Sequence, residues 1–280
     1  MNSKPGKDYR VLPASSGMAW LGQSFAILRL QAGRLLFLAV LMQVILSLVQ
    51  VPIIGIIVLL SVPGLNAGIL EAFHQARQGG APGINVLFTP LTSGRHRGRF
   101  FLMGGLILLV SIVCVSFVLG STTEIDEAML LRLQAGDMAA LEELDPTFMT
   151  RLMAAFGLSV AISGTMTFFS IPLVWFRDRK LGRSIGEGLK ALMANWKPML
   201  VMGLVLVVAF LPVSLLMMLF MQLALAGGLL GTLGMGLVMM VLLSFQLLLF
   251  GTQYCSFREI FTLEAPQAGE PEVSDGQLVA

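Results

Sequence analysis

The sequence predicts an all-α protein that crosses a membrane six times and carries two further amphipathic helices at the membrane surface. Of its 280 residues, 56% are hydrophobic and only 12% are charged, with a mean hydropathy of +0.86. Soluble domains average about 25% charged residues. The apolar residues also fall into six runs near the length of about 20 residues that a spanning helix needs. A water-soluble domain is therefore excluded.

The six runs form one transmembrane domain over residues 15–257, between an N-terminal tail of 1–14 and a disordered tail of 258–280. Gln50-Val51-Pro52 turns the short first run directly into the second, so we expect a hairpin. We favour complete crossing, and a re-entrant hairpin is the alternative. The predicted spans are about 35–50, 53–73, 100–120, 148–176, 199–221 and 229–252.

Lys and Arg are distributed unevenly between the connections. Sixteen of the 18 lie before the first span, in the second and fourth connections, or at Arg258; the other two are Arg132 and Arg151. Because cytoplasmic loops are enriched in Lys and Arg, both termini are predicted to be cytoplasmic. The first long apolar run begins only at Leu35, so we expect no cleaved signal peptide.

The connection 121–147 is acidic and is predicted to be periplasmic and helical. Asp145-Pro146 is a typical helix start, because Asp favours the N-cap and Pro the first helical position. The fourth span is therefore expected to begin at Pro146, outside the hydrocarbon core.

The basic connection before the fifth span contains an amphipathic helix at about 182–196. Ile185, Leu189, Leu192 and Trp196 recur at helical spacing. We expect this helix to lie in the cytoplasmic interface with its cations toward anionic lipid. The predicted headgroup contacts are Arg177, Arg179, Lys180, Arg183, Lys190, Trp196 and Lys197.

A similar interfacial helix is predicted at about 15–32. Leu21, Phe25, Leu28 and Ala32 match the apolar positions of the 182–196 helix at an offset of 164. Two closely spaced spans follow each helix, so we interpret the pair as a weak internal repeat, with shared amphipathic constraint as the alternative. A repeat in the same orientation implies a pseudo-twofold axis along the membrane normal.

GMAWLGQSFAILRL, the Pro-containing hairpin and the Gly-rich loop QARQGGAPGINVLFTPL follow one another in the first part of the chain. With these segments, most of residues 15–120 resembles an uncharacterised family of proteobacterial inner-membrane proteins. The resemblance implies a multi-pass protein of the bacterial inner membrane. That family has no established activity, so the resemblance assigns no catalytic residue.

The second span holds the most unusual local chemistry. Pro63 and Gly64 predict a kink or break in the helix. Asn66 is expected deep in the bilayer, where its amide needs a partner. Glu71 is the one carboxylate within a predicted span. We expect Glu71 to reach the interface and pair with Arg77 or another loop cation; a functional intramembrane carboxylate is the alternative.

Small and polar residues elsewhere in the spans favour helix packing. Ala155, Ser159, Ser163 and Thr167 recur every four residues and predict a close helix contact. We expect the same role for the glycines of 227–236, with a substrate-lining hinge as the alternative. Gln253, seven residues after Gln246, is expected to hydrogen-bond across helices, with a polar pathway as the alternative.

Catalytic constellations are missing from the sequence. His74 and His96 lie in a basic loop, there is no HExxH motif, and Cys114 and Cys255 lack CxxC partners. We expect no cofactor, no metal site, no enzymatic activity and no nucleic-acid binding. The first functional hypothesis is a membrane component that interacts with lipid or protein. The alternative is a permease for a small or amphiphilic solute.

Overall fold

The computed structural model describes residues 9–119, 129, 131–132, 146–225 and 227–262. Nine α-helices occur in these residues and no strand. They are α1 (Ser16–Leu30), α2 (Ala32–Ser47), α3 (Ile54–Arg77), α4 (Asn85–Thr92), α5 (Arg97–Leu119), α6 (Pro146–Phe176), α7 (Leu181–Ala194), α8 (Trp196–Leu225) and α9 (Gly228–Phe261). Nearly all of the predicted loop 121–147 and the tail after residue 262 lie outside the described residues.

Six of these helices are long and apolar enough to cross a membrane, which confirms the predicted class. They are α2 with the 3-10 turn Leu48–Gln50, α3, α5, α6, α8 and α9. Most extend beyond the predicted spans by a few residues, because a helix continues into polar sequence where its backbone stays hydrogen-bonded. α6 begins at Pro146, as the Asp-Pro signal predicted.

Both ends of the described chain lie at the same end of the helix bundle. The backbone N–H of Arg10 donates to the carbonyl of Ile260 at 2.8 Å. The amide of Asn195 contacts the carbonyl of Arg10 at 3.0 Å. The connections rich in Lys and Arg meet there too, since Arg99 contacts Asp178. We call this end the basic end; that it faces the cytoplasm remains a prediction.

The hydrophobic core is concentrated in the half of the bundle next to the basic end. Most of its buried members lie in the first residues of α2, α5 and α8 and in the last residues of α3, α6 and α9, and α1, α4 and α7 add Trp20, Ile27, Val86, Leu87 and Ala191. Trp20, Phe73, Phe169, Tyr254 and Phe257 are all at most 1% exposed. Farther away, the helices leave most apolar side chains exposed, notably along α8.

The sequence predicted a kink or a break in α3 at Pro63. The helix runs without interruption through this residue, so the prediction of a break is wrong. Pro63 and Gly64 are both buried. The glycines of α3 serve close packing instead: a Cβ on Gly68 would lie 2.7 Å from the Cα of Leu87 in α4. Contact with α4 and α5 supports the helix around the proline.

The small-residue stripe of α6 packs against α5, as predicted. Ala155 and Ser159 are buried, and the hydroxyls of Ser159 and Ser111 lie 2.7 Å apart. In α9, a Cβ on Gly234 would meet the backbone nitrogen of Ala224 at 2.5 Å, while Gly227 forms the turn from α8 with φ 72°. The Gly-rich segment therefore combines a turn with a tight helix pair.

The two segments of the proposed repeat agree locally but not in their packing. Trp20, Ser24 and Ile27 are buried in α1, and the residues 164 positions later, Ser184, Gly188 and Ala191, are buried in α7. However, α1 packs mainly on α9 and α8, whereas α7 packs mainly on α6. The two segments therefore correspond in being helical and in the positions that they bury, but not in the helices that they pack against.

Candidate functional site

The basic end is the part of the molecule that gathers most of the polar chemistry. Two connections meet there: the segment that joins α4 to α5 and the segment that joins α6 to α7. Both are short, so the helix ends fix where their side chains lie. The close packing of α5 on α6 brings the two connections together.

Asp178 joins these two connections. Its carboxylate accepts a hydrogen bond from Arg99 Nη1 at 2.7 Å, pairs with Arg95 and lies 3.1 Å from His96 Nε2. Arg99 also donates to the backbone carbonyls of Asp178 and Arg179 at 3.1 and 3.2 Å. We call the group of Arg95, His96, Arg99 and Asp178 the Asp178 clasp. The sequence analysis did not single out Asp178.

The environment of the clasp lowers the pKa of both His96 and Asp178. For His96, burial of the ring is the main cause of the lowered pKa. The charges of Arg99 and Arg95 lower it further, and Asp178 opposes the shift by raising it. For Asp178, burial raises the pKa, but the hydrogen bond from Arg99 and the charges of Arg95 and Arg99 outweigh it. The clasp therefore favours a neutral imidazole beside an ionised carboxylate.

Ser93, His96 and Asp178 lie in a series like that of serine hydrolases, but Nε2 of His96 makes no hydrogen bond within the described residues. Ser93 Oγ lies 3.0 Å from His96 Nδ1, and His96 Nε2 lies 3.1 Å from Asp178. In a catalytic triad the carboxylate stabilises the imidazolium that forms during reaction. Here Arg95 and Arg99 already neutralise that carboxylate. The geometry thus favours a structural contact over a nucleophile and base.

Glu71 lies next to the clasp, and its expected pairing with Arg77 is wrong. Its carboxylate accepts hydrogen bonds from Trp175 Nε1 at 2.9 Å and from Gln75 Nε2 at 3.1 Å. The ring of Trp175 in turn meets His96 edge-on, with centroids 5.1 Å apart. Neutral donors thus satisfy a carboxylate that was expected to pair with a cation.

His74 occupies an aromatic cluster one turn after Glu71. Its Nδ1 lies 2.9 Å from the hydroxyl of Tyr254, and its ring packs against Phe176. Its Nε2 lies 3.0 Å from Gln78 Nε2. The two histidines therefore have separate partners and do not form a joint metal site; groups of three or more metal-binding side chains are missing from the described residues.

Asn66 lacks the partner that its depth in the bilayer requires. Its Oδ1 is buried and accepts no hydrogen bond, while the residue as a whole is half-buried. The other predicted polar contact is present: Gln253 Nε2 donates to the carbonyl of Phe168 at 2.6 Å. An amide oxygen without a donor is rare inside a folded protein.

The predicted headgroup contacts divide into two groups. Arg177 binds the carbonyl of Phe261 at the end of α9, and Arg179 pairs with Glu187 at 3.3 Å. Arg183 pairs with the other oxygen of Glu187 at 2.5 Å. The remaining residues, which point outward, are Lys180, Lys190, Trp196 and Lys197. Arg177 and Arg179 link separate segments, Arg183 pairs within α7 while its side chain is 60% exposed, and the second group faces the surroundings.

α7 has one face inside the protein and one outside. Ser184, Gly188 and Ala191 are buried in the packing of α7 on α6. Leu189, Met193 and Trp196 are 40%, 65% and 57% exposed. Lys190 lies between these apolar residues, and Lys197 lies over the Trp196 ring at 5.8 Å. The small residues therefore form the buried contact, Leu181 and Leu192 add partly buried packing, and Leu189, Met193 and Trp196, the last at the start of α8, remain on the surface.

Asn195 is a second residue that the sequence did not distinguish as a site. It is fully buried between α7 and α8, and its Oδ1 accepts the N–H of Leu12 at 2.9 Å. Its Nδ2 donates to the carbonyls of Arg10 and Ala191 at 3.0 and 2.9 Å. One amide therefore fixes the N-terminal segment to the basic end.

Comparison with known proteins yields no match to a protein-family model, to a curated protein or to a solved structure. The resemblance to a proteobacterial membrane family remains a prediction. Any assignment of function therefore depends on the geometry of the basic end.

Proposed function

We propose that this multi-pass membrane protein is a non-enzymatic component whose basic end binds anionic lipid. The exposed surface formed by α7 and the first residues of α8 carries the proposal. Large apolar side chains and two lysines lie there side by side, although small residues on the opposite face already provide the packing on α6.

Such a face suits the boundary between hydrocarbon and headgroups. Trp196 favours the interfacial region, and Lys side chains extend toward phosphates while their methylenes stay in apolar surroundings. Each cation near an anionic surface contributes about 1 kcal/mol. Lys190 and Lys197 have no carboxylate partner among the described residues, so their charge remains available to lipid.

The test compares the lipids that remain with the protein after extraction into polymer-bounded native nanodiscs. We expect wild-type discs to be enriched in anionic lipid relative to the bulk membrane, and the enrichment to fall in Lys190→Gln/Lys197→Gln. The matched control is Arg29→Gln/Arg34→Gln, which removes two exposed cations from α1 and α2. Wild-type discs with the bulk lipid composition would refute the proposal.

A permease is the second candidate, and the unpaired Oδ1 of Asn66 is the observation that favours it. A polar pathway would supply water or solute to this amide. The test is to label Asn66→Cys with a charged thiol reagent in intact membranes. Cys114 and Cys255 are buried, so background labelling should be low. Labelling favours a pathway, and its absence leaves the lipid-binding role alone.

A further inference from the structure

We propose that the Asp178 clasp and the exposed cations beside it bind the phosphate group of an anionic phospholipid. This inference rests on the proposed function and assigns a specific site to it. Unlike the face of α7, the site is formed by two connections that are distant in the sequence.

The first step is the excess of positive charge. Segment 93–99 contains three arginines and no carboxylate of its own. Asp178 of the other connection is already shared between two of these arginines, Arg95 and Arg99. Arg97 and Lys180 are exposed and add further positive charge. An additional anion would complete the site.

The second step is the depth of the site. Arg97 is the first residue of one candidate span, and Phe176 is the last residue of another. The clasp lies between these two helix ends, at the level where spanning helices leave the hydrocarbon core. Headgroup phosphates lie at the same level, and basic pockets at such positions are suited to lipid headgroups.

The third step is the donor chemistry of Arg95. A guanidinium has five N–H donors in a planar fork, which matches two oxygens of a phosphate. Arg95 contacts Asp178 through Nη2, yet its side chain is 71% exposed. The other edge of the Arg95 guanidinium is therefore available for a phosphate. Lys180 and Arg97 are exposed as well and can add positive charge beside that phosphate. Arg99 is 25% exposed and holds the clasp from inside.

The experiment measures the binding of phosphatidylglycerol to the detergent-purified protein by native mass spectrometry, with phosphatidylcholine as the neutral lipid. We expect Arg95→Gln to weaken phosphatidylglycerol binding about fivefold, the effect of one interfacial cation. Arg34→Gln removes an exposed cation outside the clasp and should change binding less than about twofold. Arg95→Lys keeps the charge but loses the planar fork, so it should restore only part of the affinity lost in Arg95→Gln. The thermal stability of each variant shows whether Asp178 is still held by Arg99.

Each other outcome overturns the inference in a different way. Equal losses in Arg95→Gln and Arg34→Gln would mean a general basic field without a site. Displacement of lipid by millimolar inorganic phosphate would assign the site to a soluble phosphate. If Arg95→Gln bound phosphatidylglycerol like the wild type while Lys190→Gln/Lys197→Gln bound it more weakly, the clasp would not be the lipid site, and the proposed function would stand. Equal binding of both lipids by the wild type would remove both.

Discussion

Replacing Asn195 with Ala should release the N-terminal segment from the basic end. The amide joins three parts of the chain that are separate in sequence: residues 10–12, the last turn of α7 and the start of α8. The adjacent backbone bond from Arg10 to Ile260 depends on the same placement of the N-terminal segment. One side chain thus controls how this segment is held.

The magnitude comes from the groups that the substitution leaves unpaired. Asn195→Ala removes the acceptor of the Leu12 N–H and a donor to the Arg10 carbonyl, both partly buried. The Ala191 carbonyl still accepts the backbone N–H of residue 195 at 3.0 Å. Each unsatisfied group costs about 1–3 kcal/mol. Two groups at the lower half of that range give about 2–4 kcal/mol, or roughly a 30-fold increase in local opening at the lower bound.

Limited trypsin digestion of the purified protein measures this opening, because Arg10 is an exposed cleavage site within the held segment. Cleavage after Arg10 should accelerate by at least about tenfold in Asn195→Ala. Asn85→Ala is the control, since Asn85 is exposed and makes no side-chain hydrogen bond among the described residues. Identical cleavage rates in wild type and Asn195→Ala would show that the amide does not hold the segment.

Three further predictions concern packing, pH and reactivity. Gly68→Val should destabilise the protein by about 3 kcal/mol in thermal denaturation, because a Cβ at Gly68 meets the α4 backbone. Gly22→Ala is the control: a Cβ at Gly22 meets open space, so its effect should be near zero. Folding lowers the pKa of His96. Below about pH 6.5 the folded protein therefore binds fewer protons than the unfolded chain, and its stability should fall as the pH drops. His96→Gln should flatten this dependence in melting curves recorded from about pH 7.5 to 5.5, and an unchanged slope would contradict the assignment. A fluorophosphonate probe should leave Ser93 unlabelled, because arginines neutralise Asp178. If the probe labelled Ser93 in the wild type but not in His96→Gln, Ser93 would be an active nucleophile.

The spans were predictable because their signal is local. A spanning helix satisfies its backbone internally and needs about 20 apolar residues, both of which are properties of one continuous segment. The turn at Gln50-Val51-Pro52 and the start at Pro146 were predictable for the same reason. Of the two distortions expected at Pro63, a kink or a break, the break was wrong because propensity alone ignores the support that α4 and α5 give to this part of α3.

The basic end was less predictable because its contacts join residues far apart in sequence. Asp178 meets Arg99 across 79 positions, and Asn195 meets Leu12 across 183. By residue type alone, Asp178 is an ordinary loop carboxylate. Its position after an aromatic pair at the end of a span, among several cations, was the available signal. The interfacial position of α7 stays a prediction, and the sequence pattern did not indicate that Ser184, Gly188 and Ala191 form the face buried against α6.

The location of the core favours a role for the basic end over the opposite end. Close packing of Phe73, Phe169 and Phe257 fixes the helix ends that hold the Asp178 clasp, so its charges are positioned before any ligand arrives. Preorganised groups lose less conformational entropy on binding. In the outer half, α8 carries no charge from Met199 to Leu225, and its exposed side chains there are apolar except for Gln222. Such a surface suits lipid chains but offers no means of selecting a polar ligand. Selective recognition by the described residues is therefore expected where rigidity and charge coincide, at the basic end.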